Sequence, residues 1–94
     1  MHYVYILHSD KLNRYYTGYT SDINTRLEFH ENADARKFTY NADDWTLVFS
    51  LECENKTQAL AIEKHIKLMK SKIYIQNLLI YPDMATKLRA KYKP

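Results

Sequence analysis

Tyrosine is the side chain with the most evident chemical potential in this sequence, and nine of the 94 residues are tyrosine. The only glycine, Gly18, lies among them, two residues after Tyr16. A phenol can accept or donate a proton, and a glycine inside a strand leaves room for another group near the backbone. Side chains alternate along a strand, so Gly18 and Tyr16 share one face, and strand pairing can bring Tyr5 beside Tyr16. The alternative is that these tyrosines are ordinary sheet formers with hydroxyls at the rim.

Two predicted helices place polar side chains beside apolar stripes. Arg26 and His30 are four residues apart on a predicted helix, where they border an apolar stripe. Glu63 borders a second stripe. A guanidinium suits a phosphate, an imidazole can relay a proton, and a carboxylate suits a hard cation. The alternative is structural: an ion-paired arginine, a core histidine, and a glutamate paired with Lys67 at i+4.

The strands that would position the tyrosines are predicted from β-branched and aromatic runs. Residues 2–8 form a strand buried on both faces, and a turn joins it to a second strand over residues 14–20, giving an antiparallel hairpin. Residues 45–53 alternate apolar with mostly polar side chains, which predicts a half-buried third strand. Its core-facing side chains are expected to be Trp45, Leu47, Phe49 and Leu51.

Helices are predicted between and after the strands. Ser21 and Asp22 would open a helix through about Asn32, followed by an irregular segment over residues 33–44. A second helix begins near Lys56, with Thr57 as a possible cap, and a short helix spans residues 73–81. A basic amphipathic helix over residues 84–92 follows Pro82. The stripe of the second helix consists of Ala59, Ile62, Ile66 and Met69. The predicted fold is of the α/β class (α+β type), order ββαβααα, with a small three-stranded antiparallel sheet flanked by helices.

Composition limits the classes of protein that this chain can belong to. Residues 1–94 are expected to form a single domain, because 46% are hydrophobic and 27% are charged. One glycine cannot build the phosphate loops of P-loop or dinucleotide-binding proteins. The single cysteine, Cys53, excludes an internal disulfide, and no cysteine pair exists for a zinc site. The sequence has no long apolar run and no leader pattern, so we expect a cytoplasmic protein without membrane association.

Charge is unevenly distributed along the chain. Residues 1–55 contain five Lys or Arg against nine Asp or Glu, whereas residues 56–94 contain nine against two. A basic C-terminal part suits an anionic partner such as nucleic acid. The alternative is that these lysines only solvate the surfaces of helices.

The spacing of these residues resembles the GIY-YIG nuclease domain, in particular its small single-domain bacterial members. Residues 3–5 occupy the place of the first signature triplet, and residues 16–18 that of the second. Arg26 follows at the family's spacing, and His30 lies one turn later. Glu63 matches the metal-binding glutamate of the helix after the third strand. The resemblance extends from position 3 to about position 79.

This sequence departs from the family's pattern at three positions. Tyr3 replaces the first signature glycine, and Thr17 replaces the isoleucine of the second triplet. Both are scaffold positions in the family. Tyr40 stands where a basic residue is expected in the loop on the substrate side.

The resemblance implies an endonuclease that hydrolyses phosphodiester bonds with one divalent cation, Mg²⁺ or Mn²⁺. Glu63 would hold the cation, and Arg26 would hold the scissile phosphate. Tyr5 is the expected general base, with Tyr16 as the close alternative, and Gly18 would give the site its space. His30 would orient Tyr5 or relay its proton.

The expected partner is nucleic acid, with DNA favoured over RNA, bound with weak sequence specificity. The basic side chains expected to follow the phosphate backbone are Arg36, Lys37, Lys64, Lys67, Lys70 and Lys72. Two alternatives stay open. One is a nucleic-acid-binding module with little activity unless a protein partner assists it, and the other is a small protein-interaction domain.

Overall fold

Three antiparallel strands form the sheet of this protein, in a computed structural model that describes residues 1–22 and 44–94. The strands are β1 (His2–Ser9), β2 (Arg14–Thr20) and β3 (Thr46–Cys53), in the order β2-β1-β3. Three helices follow, α1 (Lys56–Met69), α2 (Lys72–Ile80) and α3 (Pro82–Lys91). The predicted fold class is therefore confirmed. Four predicted site residues lie outside the described residues, with most of the helix predicted from position 21: Arg26, His30, Arg36 and Lys37.

Strand β1 is the centre of the sheet and is buried on both faces, as its sequence predicts. Its four middle residues are at most 1% exposed: Val4, Tyr5, Ile6 and Leu7. Val4 and Ile6 face the helices and pack with apolar residues of α1, α2 and α3. Tyr5 and Leu7 point to the opposite face, where they pack with Trp45. The sheet therefore separates two apolar clusters, and the tyrosines of interest lie in the smaller one.

The turn between β1 and β2 is tied to the residue that precedes β3. The buried hydroxyl of Ser9 donates to Asp44 Oδ1 at 2.6 Å, and the backbone N–H of Lys11 donates to Asp44 Oδ2 at 2.9 Å. The backbone N–H of Leu12 in turn donates to Ser9 Oγ at 3.1 Å. The hydrogen bond from Ser9, followed by that from Lys11, holds the pKa of Asp44 below its ordinary value. This carboxylate fixes the hairpin relative to β3.

The helices pack on one face of the sheet through side chains at helical spacing. Ala59, Ile62 and Ile66 of α1 are at most 1% exposed, as the predicted stripe requires. Pro82 is the first residue of α3, a position where its missing N–H costs no hydrogen bond. The buried amide of Gln58 connects α1 to α3 by donating to the carbonyl of Arg89 at 3.0 Å.

Two predicted details of α1 are wrong. The N-cap is Asn55, whose side chain accepts from the N–H of Gln58 at 2.8 Å, whereas Thr57 lies inside the first turn. The stripe ends at Ile66, because Met69 is 45% exposed in the last turn.

One predicted feature of β3 is wrong because the strand contains a bulge. Ile6 is opposite Phe49, but the next residue, Leu7, is opposite Leu47, so Val48 is an extra residue. Leu47 and Phe49 therefore point to opposite faces, although they are two residues apart. Leu47 was expected to face the core, but it is 38% exposed and does not belong to it.

Candidate active site

The two signature-position tyrosines meet over Gly18. In the register of the hairpin, Tyr5 is opposite Gly18 and Tyr16 is opposite Leu7, so the tyrosines are diagonal neighbours on one face. Their ring centroids are 6.3 Å apart with an interplanar angle of 44°. The expectation that strand pairing brings Tyr5 beside Tyr16 is confirmed, in the diagonal arrangement.

Gly18 is required for space and not for an unusual backbone angle. Its φ is not positive. A Cβ at this position would overlap the phenol oxygen of Tyr5 and lie 2.5 Å from Cζ of the same ring. The group that approaches the bare backbone is therefore the catalytic-site candidate Tyr5 itself.

The two tyrosines differ in their access to solvent. Tyr5 is 1% exposed and packs with Leu7 and Trp45, whereas Tyr16 is half-buried and lines a surface cleft. A water molecule or a bound phosphate can approach Tyr16 from this cleft. Tyr5 instead forms the wall against which the ring of Tyr16 rests.

Lys67 connects these tyrosines to Glu63. Its ammonium lies 3.3 Å from Glu63 Oε2, four residues earlier on α1, and 6.0 Å from the centroid of the Tyr16 ring. The helix-face pair that the sequence analysis offered as the structural alternative is therefore present. A helix-face pair of this kind contributes only about 0.2–0.5 kcal/mol, which a divalent cation at the carboxylate would readily outweigh.

A cleft of about 440 Å³ separates edge strand β2 from the junction between α1 and α2. The strand wall is formed by residues 14–17. On the helix side, α1 ends at Lys70 in the left-handed conformation, with φ 48° and ψ 41°, and Ser71 then caps α2. The residues of this break, Lys70 and Ser71, both line the cleft. The cationic lining residues are Arg14, Lys67, Lys70 and Lys72.

The cleft contains three of the four described lysines that the sequence analysis assigned to nucleic acid. Lys64, the fourth, is exposed on α1 and is not a lining residue of the cleft. Arg14 is a lining residue that the sequence analysis missed. The sequence could have predicted this position, because Arg14 precedes Tyr16 by two residues in a strand and therefore shares its face.

The candidate cation site consists of one carboxylate in the part of the chain that the structure describes. Within residues 1–22 and 44–94, no group of three or more His, Cys, Asp or Glu side chains could hold a metal ion. Glu63 has 18% of its side chain exposed, at the edge of the helix layer. A single accessible oxygen donor fits Mg²⁺ or Mn²⁺, since Mg²⁺ retains several waters and binds through one or two carboxylates plus substrate phosphate.

The geometry described above agrees with a match at the level of the whole sequence. Residues 1–76 match the family described as the GIY-YIG catalytic domain. The chain belongs to the GIY-YIG family. Membership confirms the resemblance inferred from the two triplets and Glu63, and it places the protein in a family of nucleases.

Similar proteins come from archaea and bacteria. A UPF0213 protein of Halobacterium salinarum is 34% identical over 67 residues, which cover 71% of this chain and 86% of that protein. A UPF0213 protein of Oceanobacillus iheyensis is 35% identical over 66 residues, covering 70% and 76% of the two chains.

A solved structure is similar to this GIY-YIG chain over nearly its whole length. The solution NMR structure of the UPF0213 protein BH0048 from Bacillus halodurans has a TM-score of 0.55 and 30% sequence identity. The match covers 90% of this chain and 92% of the BH0048 chain. Among the residues that the structure describes here, no helix has the length and apolar character needed to cross a membrane.

Proposed function

We propose that this GIY-YIG protein is a divalent-metal-dependent endonuclease that hydrolyses phosphodiester bonds in DNA or RNA. The observation that carries the proposal is the position of Tyr16. Its ring packs beside Tyr5, lies 6.0 Å from the Lys67 ammonium that pairs with Glu63, and lines a cation-rich cleft. A proton acceptor, a carboxylate for a cation and a surface for a phosphate backbone are therefore contiguous.

Glu63 is the residue that would hold Mg²⁺ or Mn²⁺ in this proposal. The bound cation would supply charge neutralisation at the leaving oxygen of the phosphodiester. Arg26 would hold the scissile phosphate through its planar guanidinium, which matches two phosphate oxygens at once. His30 would relay a proton or orient a tyrosine. Arg26 and His30 are assigned from the family's pattern, because both lie outside the described residues.

Burial supports Tyr16 over Tyr5 as the general base. Tyr5 is the general base expected from the sequence, but a base must reach the attacking water, and Tyr5 is 1% exposed. Tyr16 borders the cleft, and the positive charge of Lys67 lies beside its ring. In this assignment Tyr5 is a positioning residue that holds the ring of Tyr16.

A cleavage screen tests the proposal. The protein is incubated with plain duplex, branched, damaged and single-stranded DNA and with RNA, in Mg²⁺, in Mn²⁺ and in EDTA. We expect metal-dependent cleavage that Glu63→Ala and Arg26→Ala each abolish, while the fold and most nucleic-acid affinity persist. Cleavage at the wild-type rate by both variants would refute the assigned roles.

The two alternatives predict different results from the same material. A binding module without activity would bind nucleic acid in a titration of the labelled substrates but leave every substrate intact in every metal. A protein-interaction domain would show no binding that weakens between two ionic strengths, because phosphate contacts make affinity depend on salt.

A further inference from the structure

The cleft beside Tyr16 has the lining of a site for an anion that also has an apolar part. Its cations are Arg14, Lys67, Lys70 and Lys72, and no acidic side chain lines it among the described residues. A phosphate alone would need only these charges. The cleft is considerably larger, since about 440 Å³ falls within the range of sites for small organic ligands.

The remaining walls of the cleft are aromatic and aliphatic. On the strand side, Tyr15 packs toward the helices and Tyr16 lies at the rim on the opposite face of β2. Ile66 and Ile75 lie on the helix side. Ile66 is 1% exposed and belongs to the main core, so it forms a firm base to the cleft, and Ile75 is half-buried. A flat apolar ligand can pack against these walls, whereas a phosphate cannot.

A nucleotide with an unpaired base has the chemistry that this lining recognises. In a duplex each base is stacked on both faces and paired along its edge, so the walls of a narrow cleft can reach only sugar and phosphate. An unpaired base exposes its π face, and stacking on an aromatic side chain contributes about 1–3 kcal/mol per base. The adjacent phosphates would meet the four cations.

We propose that this cleft binds one unpaired nucleotide of a nucleic-acid strand, with its base between Tyr15 and Ile75, which both pack on the helix side of the sheet, and its phosphates on the basic lining residues. The inference rests on the proposed function in that it takes nucleic acid as the substrate. Tyr16 is a lining residue of the cleft and also a member of the tyrosine pair. A nucleotide bound in the cleft therefore places a neighbouring phosphodiester beside Tyr16. The substrate class is then a strand with at least one unpaired nucleotide next to the cleaved bond.

Binding without catalysis provides the test. A fluorescently labelled single strand of ten thymidines is compared, in EDTA, with an abasic strand of the same length and charge and with a ten-base-pair duplex. We expect the thymidine strand to bind at least about 5-fold more tightly than the abasic strand, as the loss of about 1–3 kcal/mol of base stacking implies. Amide NMR signals of residues 14–17 and 70–75 should shift with the thymidine strand.

Variants separate the base from the phosphates. Lys72→Ala should weaken binding of the thymidine and abasic strands by the same factor, whereas Lys87→Ala, which removes an equal charge outside the cleft, should change neither by more than about 2-fold. Ile75→Ala should weaken only the thymidine strand. If circular dichroism shows that Ile75→Ala is unfolded, the inference is tested by the wild-type protein alone, through its affinities for the thymidine and abasic strands.

The results also separate this inference from the proposed function. Equal affinity for the thymidine and abasic strands, or NMR shifts confined to other residues, would overturn the inference even if the protein cleaves DNA. Tight thymidine binding in the cleft without cleavage in any metal would refute the endonuclease proposal and support the cleft as a nucleotide site.

Discussion

At the scale of single residues, the central observation is that the only glycine makes room for a tyrosine. The hairpin register puts Tyr5 opposite Gly18, and the phenol of Tyr5 occupies the volume that any other side chain at position 18 would need. Sequence spacing predicted that Gly18 belongs to the site. It could not specify which group fills the space, because that depends on the register and on the burial of Tyr5.

We predict that Gly18→Ala lowers both stability and activity. The added Cβ overlaps the phenol oxygen of a side chain that is 1% exposed, so Tyr5 must move within a packed cluster. Overpacking of this kind costs about 1–3 kcal/mol, measurable as a shift of the denaturant midpoint. The same displacement moves the wall behind Tyr16, so cleavage measured well below the unfolding transition should also fall. Wild-type stability and cleavage together would contradict the packing described here.

A second residue-scale prediction concerns Lys67, which competes with a cation for Glu63. Lys67→Gln removes the ammonium 3.3 Å from the carboxylate, so Mn²⁺ affinity measured by electron paramagnetic resonance should rise about 1.4- to 2.3-fold, the equivalent of about 0.2–0.5 kcal/mol. Lys64→Gln removes an equal charge from the same helix without touching this pair and should change Mn²⁺ affinity less. An unchanged or weaker affinity in Lys67→Gln would argue against Glu63 as the cation ligand.

At the scale of elements, the order of strands and helices was predictable because hydrophobic periods of two and 3.6 residues are strong signals. The exceptions have local causes. The bulge at Val48 breaks the alternation of β3, and such an extra residue leaves no mark in an apolar stretch. The cap of α1 is Asn55 and not Thr57, a choice between two polar residues that depends on where the chain leaves β3.

The link between the β1–β2 turn and β3 gives an element-scale prediction with a defined pH dependence. The folded-state pKa of Asp44 lies below its ordinary value because the Ser9 hydroxyl and the Lys11 N–H donate to the carboxylate. Its contribution to stability is therefore fully present above the ordinary pKa of 3.8 and is lost as pH falls through the folded-state pKa.

Asp44→Asn should accordingly unfold at a lower temperature than wild type at pH 7, because an amide nitrogen cannot accept the hydrogen bond from Lys11. The difference should shrink as the pH falls below the ordinary pKa of 3.8 toward the lower folded-state pKa, because the wild-type carboxyl then becomes protonated as well. Ser9→Ala removes the largest cause of the pKa shift and should be destabilising at pH 7 as well. If the difference in unfolding temperature between Asp44→Asn and wild type stays constant from pH 7 to pH 3, the hydrogen bonds to the ionised carboxylate cannot be its source.

At the scale of the whole molecule, the fold brings together charges that the sequence keeps apart. The basic C-terminal part was visible in the composition, with nine basic against two acidic residues over positions 56–94. Arg14 belongs to the acidic N-terminal part, and yet it lines the same cleft as Lys70 and Lys72. Counting charges predicted an anionic partner, whereas the position of the cleft beside edge strand β2 required the tertiary structure.

The part of the candidate site that could be predicted consists of the residues at the family's signature positions. Tyr5, Tyr16 and Gly18 are brought together as the two triplets imply, and Glu63 is connected to them through Lys67. The relative access of the two tyrosines was not predictable, because burial depends on Trp45, which arrives from a distant part of the chain.

The central claim is that Glu63 holds the cation on which phosphodiester cleavage depends. The most direct measurement is the single-turnover cleavage rate of Glu63→Gln in Mn²⁺, with Glu52→Gln, which alters an exposed glutamate on β3, as the matched control. We predict that Glu63→Gln lowers the rate at least about 100-fold and abolishes Mn²⁺ binding, since loss of the cation costs several kcal/mol of transition-state stabilisation. Glu52→Gln should cleave as wild type does. Cleavage by folded Glu63→Gln at the wild-type rate would contradict the account.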